Sequence, residues 1–543
     1  MRKRSIAMFT LIIFLLSLLL GCNAPTKNNQ KTTAGQETDI SKTDENFNAI
    51  GYPIVKKPIT VTSMFAPGTY DGDPKEMSYW QKLEEISNIQ IKWNMISSSE
   101  PTAIQLFFSA GDFPDFFHAY VDNERQFIYG VEGGMFYDYS DLIYEYMPNL
   151  VSWFKKYPEA EKVIRQLNGA IYTLPKIQVH STYSIGQMFY RTDYLKKLNL
   201  EIPKTVDDFY NVLKAIKDSG LTGGYAPFLP LNKGTFEYHT EAFLFSAFGD
   251  AHDYDFADDG KGKVVYNRIS EQYRRYLEYA NKLYKEGLLE NELFTIDSDT
   301  SSGRIKAGQA AFMTSADMLA ESDFPDGKIN IDCLAPLTSQ YTSERKVKGY
   351  IGVSSSAAAI NKNCKYVREL LRMFDMNYTE DEVVPGSGLN CLSQNIGLEG
   401  VNWKYTNNEK SHISFLQPDD WDSNVWLWIT KYASWNQFYS AWVTYATTGG
   451  ANNIARETGM LKNNLPYAKP SFPDTLIKVT EEENNVIANK LTDINNFVAQ
   501  ARAQFITGIE PLSKWDAYVA KVKEMGIDEI LEIKQKAYDR WNE

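Results

Sequence analysis

The sequence predicts an α/β protein with an all-helical C-terminal region. Three observations carry this. Short β-branched and aromatic runs alternate with amphipathic helical patterns from residue 59 onward. From Thr480 to the end only helical patterns occur. The chain has 543 residues, 43% hydrophobic and 23% charged, an ordinary globular composition with room for about two to four domains. That composition excludes a largely disordered, collagenous or multi-span membrane protein.

The elements follow in order. Ile59-Thr60-Val61-Thr62 reads as a first strand and Phe116-Phe117-His118-Ala119-Tyr120 as a short buried one. Thr205 with Asp208 three residues on starts a helix whose apolar face is Val206, Phe209, Leu213 and Ile216, and Gly220 stops it. Asp253, Asp255, Asp258, Asp259 and Gly260 invite a calcium reading, but the twelve-residue loop pattern fails, and a turn before the strand Lys263–Tyr266 is expected. Ser270 opens a helix that ends at Gly287. Ala311-Phe312-Met313 reads as a strand. Thr480 and Glu483 form a capping box before a helix carrying Ile487, Leu491, Ile494, Val498 and Phe505 and ending at Gly508. Ser513 starts another helix, through Trp515, Val519 and Val522, ending at Gly526.

Charge and the N-terminus set the compartment. Arg2, Lys3 and Arg4 precede an apolar run from Ile6 to Leu20 that is broken only by Thr10 and Ser17. A membrane span needs about 20 apolar residues, so this run suits a signal peptide. It ends in Leu19-Leu20-Gly21-Cys22, which resembles the bacterial lipobox, in which the cysteine thiol receives a diacylglyceryl group. Residues 1–21 are expected to be removed and Cys22 to carry lipid; the alternative is an uncleaved anchor helix. Either way the chain is expected outside the cytoplasm. The net charge is −13, and −16 without the leader. An acidic chain repels nucleic acid, which is set aside as a partner. Residues 22–52, rich in Thr, Asn, Gln and Lys, read as a tether.

A search for chemistry finds little. GxSxG, HExxH, the P-loop and GxGxxG are absent from the sequence. Cys333, Cys364 and Cys391 allow at most one disulfide among them, and buried small residues are the plainer reading. Neither cofactor nor metal is expected. Aromatic residues are more informative: Trp421, Trp426, Trp428, Trp435 and Trp442 fall close together. Ring faces stack on the C–H faces of sugars. The seven-residue spacing of Trp428, Trp435 and Trp442 equally fits one buried stripe of a helix, whereas Trp421 and Trp426 follow a loop-like Pro418-Asp419-Asp420.

Several stretches then match a known family in order. Ser109-Ala110-Gly111-Asp112-Phe113-Pro114-Asp115 resembles its SGDxPD turn, in which Asp112 and Asp115 shape the turn. Asn168-Gly169-Ala170-Ile171-Tyr172-Thr173-Leu174-Pro175 resembles DGKIYALP, with Asn168 in place of Asp. Tyr190-Arg191-Thr192-Asp193-Tyr194-Leu195, Lys306-Ala307-Gly308-Gln309-Ala310-Ala311-Phe312 and the C-terminal Gln504–Gly508 and Gln535–Arg540 segments continue the match. The chain resembles family 1 extracellular solute-binding proteins, receptors of ABC importers, and among them the large Gram-positive oligosaccharide-binding lipoproteins.

The resemblance implies two α/β lobes joined by a hinge, with the solute between them. Lobe 1 is expected at about 53–175 plus 337–400, and lobe 2 at about 176–336 plus 401–543. It also implies a monomer on the outer face of the cell membrane, lipid-anchored, with a carbohydrate ligand and permease subunits as partners. Solutes of open α/β sheets sit beyond the carboxyl ends of the strands. This places Phe65, His118, Tyr120, Asp122, Phe236, Glu237, Tyr238 and Asp317 at the cleft, with Trp421, Trp426 and Trp435 closing one side. Each polar member has a plainer alternative as a helix cap or surface ion pair. A lipid-anchored polysaccharide hydrolase is the runner-up reading, and an adhesin or sensor component the third.

Overall fold

The computed structural model describes residues 45–66, 72–96, 101–179, 186–349, 352–408, 410, 412–416, 432–433, 439–441, 444–445 and 451–543. Cys22, Trp421, Trp426 and Trp435 lie outside them. Ile59–Phe65 pairs in parallel with Ile89–Met95, Val61 opposite Ile91. The run predicted to end at Thr62 continues because Met64 and Phe65 are also buried. The intervening helix, Ser78–Ser87, buries Tyr79, Trp80 and Leu83 against this sheet and ends at Asn88 in the left-handed region. Phe116–Phe117 and Ala359–Ile360 complete four strands. The strand predicted over 116–120 is thus only two residues long. Tyr120 has φ +70°, which ends the extended run, and its hydroxyl donates to the Ala66 carbonyl at 2.7 Å.

A second four-stranded sheet orders Ile331–Cys333, Phe189–Arg191, Phe312–Met313 and Phe228–Leu229. The helix Val206–Ser219 has the expected capping box and buries Val206, Phe209, Val212, Leu213 and Ile216, ending at Gly220 with φ +73°. Ser270 caps Glu271–Lys285. The acidic stretch is a turn: Asp258 accepts the amides of Gly260 and Gly262, and Asp259 those of Lys261 and Lys263, before the strand Val264–Tyr266. Thr480 and Glu483 cap the long helix Glu481–Thr507. Trp515–Glu524 follows a single tight turn over Leu512–Lys514, so this helix starts two residues after Ser513. Ile527–Asn542 closes the chain. Cys333, Cys364 and Cys391 are buried and form no disulfide among the described residues.

Two large cores result. One gathers residues from Ile54 to Ile177 and from Val353 to Ala433; the other gathers residues from Met188 to Val347 and from Phe472 to Ala537. Leu476 joins the first core while Phe472 and Ile477 join the second, and Trp541 packs on both. Lys162 donates to the Trp541 carbonyl at 2.7 Å. The chain passes from one core to the other between Ile177 and Met188, between Val347 and Val353, and between Ala433 and Leu465. Three strands stand at those passages: Leu174–Val179 lies between Val353–Ala357 and Tyr439–Ala441. In this hinge sheet the register slips between Ser355 and Ala357. Trp428 and Trp442, like Trp435, lie outside the described residues.

Candidate functional site

Each core sheet ends in the same local device. After Phe116–Phe117 the chain turns, Asp122 caps a single helical turn by accepting from the Arg125 amide at 2.9 Å, and a π-helix runs over Gln126–Glu132. After Phe228–Leu229, Asn232 caps Lys233–Thr235 by accepting from the Thr235 amide at 2.8 Å, and a π-helix runs over Phe236–Glu241. π-Helices are rare and concentrate at functional sites. Short Asx side chains suit both caps because they reach the amide three residues on.

In the first lobe an aromatic box backs the turn. The His118 ring stacks on Phe65 at 5.4 Å and 11°, and meets Trp93 at 5.4 Å and Trp80 at 5.7 Å edge-on. Burial lowers the His118 pKa to about 4, against a backbone hydrogen bond at Met64 that favours the charged form, so the ring is neutral at physiological pH. Phe65 and His118 are both covered in this structure, at 3% exposure. Tyr120 is half-buried, and Asp122 is exposed, pairing with Arg125 at 2.6 Å.

In the second lobe Phe236 is buried and Tyr238 is exposed on the π-helix. Glu237 bonds Arg268 and Arg502, each at 2.9 Å. Burial works against its carboxylate, but Arg502 and Arg268 outweigh burial and hold the pKa below the usual range. Glu241, fully buried one turn on, is pushed up by burial against the same two arginines and accepts from the Tyr273 hydroxyl at 3.1 Å. Asp317 lies just past Phe312–Met313, exposed and paired with Arg456. Thr314 on the same strand end receives the Leu231 amide at 3.0 Å and donates to Thr235 at 3.1 Å.

The expected residues that the structure describes therefore fall into two groups at the strand ends of the two lobes, while Trp421, Trp426 and Trp435 lie outside the described residues. Asp122 is a cap, and Glu237 and Asp317 are in ion pairs, the plainer alternatives open to each. Sequence reasoning did not single out Asn123, Lys478, Asn232 or Thr314. Lys478 donates to Asn123 Oδ1 at 2.6 Å, and Asn123 donates to the Thr475 carbonyl at 3.1 Å. Beside them lies a cavity of about 490 Å³ between the first π-helix and the start of the long C-terminal helix, lined by Phe127, Ile128, Leu167, Thr480 and Asn484 among others. Burial lowers the Lys478 ammonium to about 8. The one available signal was an Asx residue a few positions after a short apolar strand, Asp122 after Phe116–Phe117 and Asn232 after Phe228–Leu229. Among the described residues no group of three or more His, Cys, Asp or Glu side chains is placed to hold a metal, and no helix is long and apolar enough to cross a membrane.

A family model described as bacterial extracellular solute-binding protein matches residues 70–374, more than half of the chain. The chain belongs to that family. Among its relatives, the fructooligosaccharide ABC transporter substrate-binding protein FusA of Streptococcus pneumoniae is 24% identical over 534 residues, covering 93% of this chain and 95% of FusA. Lipoprotein LipO of Bacillus subtilis is 24% identical over 479 residues, 84% and 88% of the two chains. A solved FusA structure in complex with fructo-nystose superposes with a TM-score of 0.66 at 23% identity, over 89% of this chain and 99% of that one. An HMO-binding solute-binding protein from Bifidobacterium longum infantis superposes with a TM-score of 0.69 at 20% identity, over 89% and 99%. These solute-binding proteins share the two-lobed α/β fold with the present chain.

Proposed function

We propose that this solute-binding protein is a lipid-anchored receptor that takes up a carbohydrate, an oligosaccharide of the size FusA binds, between its lobes and passes it intact to an ABC permease. The observation that carries this reading is the paired capped turn and π-helix at the strand ends of both lobes. A solute touching both devices binds the closed arrangement better than the open one and so shifts the hinge equilibrium. The relative named for fructooligosaccharide supports the ligand class. The Leu19–Cys22 sequence and the relative named as a lipoprotein support the anchor on the outer membrane face. Lobes close to the expected boundaries are supported by core membership, which groups Ile54–Ile177 with Val353–Ala433 and Met188–Val347 with Phe472–Ala537.

Phe65, His118, Tyr120, Asp122, Phe236, Glu237, Tyr238, Asp317, Trp421, Trp426 and Trp435 are our proposed lining. Asn123 joins them. Calorimetry of the purified chain against fructo-nystose and a panel of neutral and acidic oligosaccharides tests the reading. One sugar should bind with a dissociation constant of about 1 µM or tighter, equivalent to about 8 kcal/mol. It should be recovered uncut by chromatography. Cleaved sugar, or no binding across the panel, overturns the proposal.

A further inference from the structure

Gln126, the first residue of the first π-helix, is completely buried and uses every hydrogen-bonding position of its amide. Nε2 donates to the Val121 carbonyl at 3.2 Å and to Ser355 Oγ at 2.9 Å. Oε1 accepts from Gln166 Nε2 at 2.7 Å and from Thr173 Oγ1 at 3.0 Å. The Thr173 and Ser355 hydroxyls are themselves 2.9 Å apart. One amide thus joins the turn after Phe116–Phe117, the first π-helix, the hinge strand Val353–Ala357 and Thr173, the residue just before the hinge strand Leu174–Val179.

The hinge side of this contact is unusual. Ser355 is the residue at which the strand register slips. Ala358, just beyond, has φ +57°, a conformation that costs a non-glycine residue energy and persists only where the surroundings impose it. The Tyr139 hydroxyl holds its carbonyl at 2.9 Å. Ala359 and Ile360 then pair with Phe117 and Phe116. The strand that leaves the hinge and the strand that feeds residues 118–124 are therefore neighbours, and Gln126 ties their far ends together. A fully satisfied buried network of this kind has one low-energy arrangement.

We propose that Gln126 is a positioning residue that couples the solute-facing turn 118–124 to the hinge strand Val353–Ala357, so that the two move as one body when the lobes close. Binding energy gained at the turn then acts on the hinge without being lost in local yielding. The proposal rests on the reading that 118–124 faces the solute. The test uses the full chain and the substitutions Gln126→Leu and Ser355→Ala, singly and combined. In hydrogen–deuterium exchange without ligand, each single change should raise exchange at least tenfold in both 118–124 and 353–358 and leave 228–241 as in the parent. The double variant should add little to either single one. Where fructo-nystose binds the parent, its dissociation should speed about tenfold in Ser355→Ala with association unchanged. Exchange that rises only beside each substitution, or effects that multiply in the double variant, overturns the proposal. A parent chain that does not bind fructo-nystose counts against the ligand reading alone, since the exchange experiment needs no ligand.

Discussion

The two lobes build the same strand, Asx cap and π-helix, then anchor that helix by opposite means. In the first, Gln126, Gln166, Thr173 and Ser355 make a network without a formal charge. In the second, Arg268 and Arg502 meet Glu237 and Glu241, with Asp255 at 3.5 Å from Arg268. The neutral network reaches the hinge; the charged one reaches the long C-terminal helix, which carries Arg502. Directional amide bonds fix position at a smaller desolvation cost than buried charges. A buried ion cluster is strongly held only while complete, since losing one member strands the others without compensation. The contrast locates mechanical precision in the first lobe and charge-dependent stability in the second.

The largest test breaks the charged anchor. Arg502→Met should lower unfolding stability by about 3–5 kcal/mol in urea titration, because Glu237 and Glu241 lose a buried partner. A loss under about 1 kcal/mol would mean that the cluster is spectator chemistry.

The next test concerns acid. The His118 pKa is about 4 in the fold against an ordinary 6.5. Between those values the unfolded chain binds more protons, so stability falls as pH drops through that window and levels off below it. His118→Phe keeps an aromatic ring in the box and removes this term. At pH 5 the variant should be more stable than the parent by about 2 kcal/mol, with the difference vanishing at pH 7 and above. Equal pH profiles would show that His118 is not held neutral.

The smallest effect belongs to the neutral anchor. Thr173→Val should cost about 1–2 kcal/mol, the scale of a buried hydrogen bond lost with its partner left behind. That loss should be the same at low and high salt, unlike interactions between charges. A salt-dependent loss would blur the distinction between the lobes.

What the sequence made legible was local. Thr205 with Asp208, Thr480 with Glu483, and Ser270 all cap the helices they were expected to cap, because the chemistry spans only three residues. The alternation of strands and helices gave the fold class for the same reason. The roles of Glu237 and Gln126 were not legible. Their partners Arg502 and Ser355 lie 265 and 229 residues away. A carboxylate or amide looks the same in sequence whether it meets solute, a helix end or an arginine. The π-helices were missed because the apolar spacing that reveals an α-helix has a period of 3.6 residues, and these short segments do not keep it. The strand over 116–120 was overextended because nothing in Tyr120 announces a positive φ.

Trp541 stands two positions from the end, touches both cores, and is tethered through its carbonyl to Lys162. The final helical turn is therefore a fastener between the halves, not a loose tail. Fluorophores or fusion partners spliced after Glu543 would be mounted on the clasp itself.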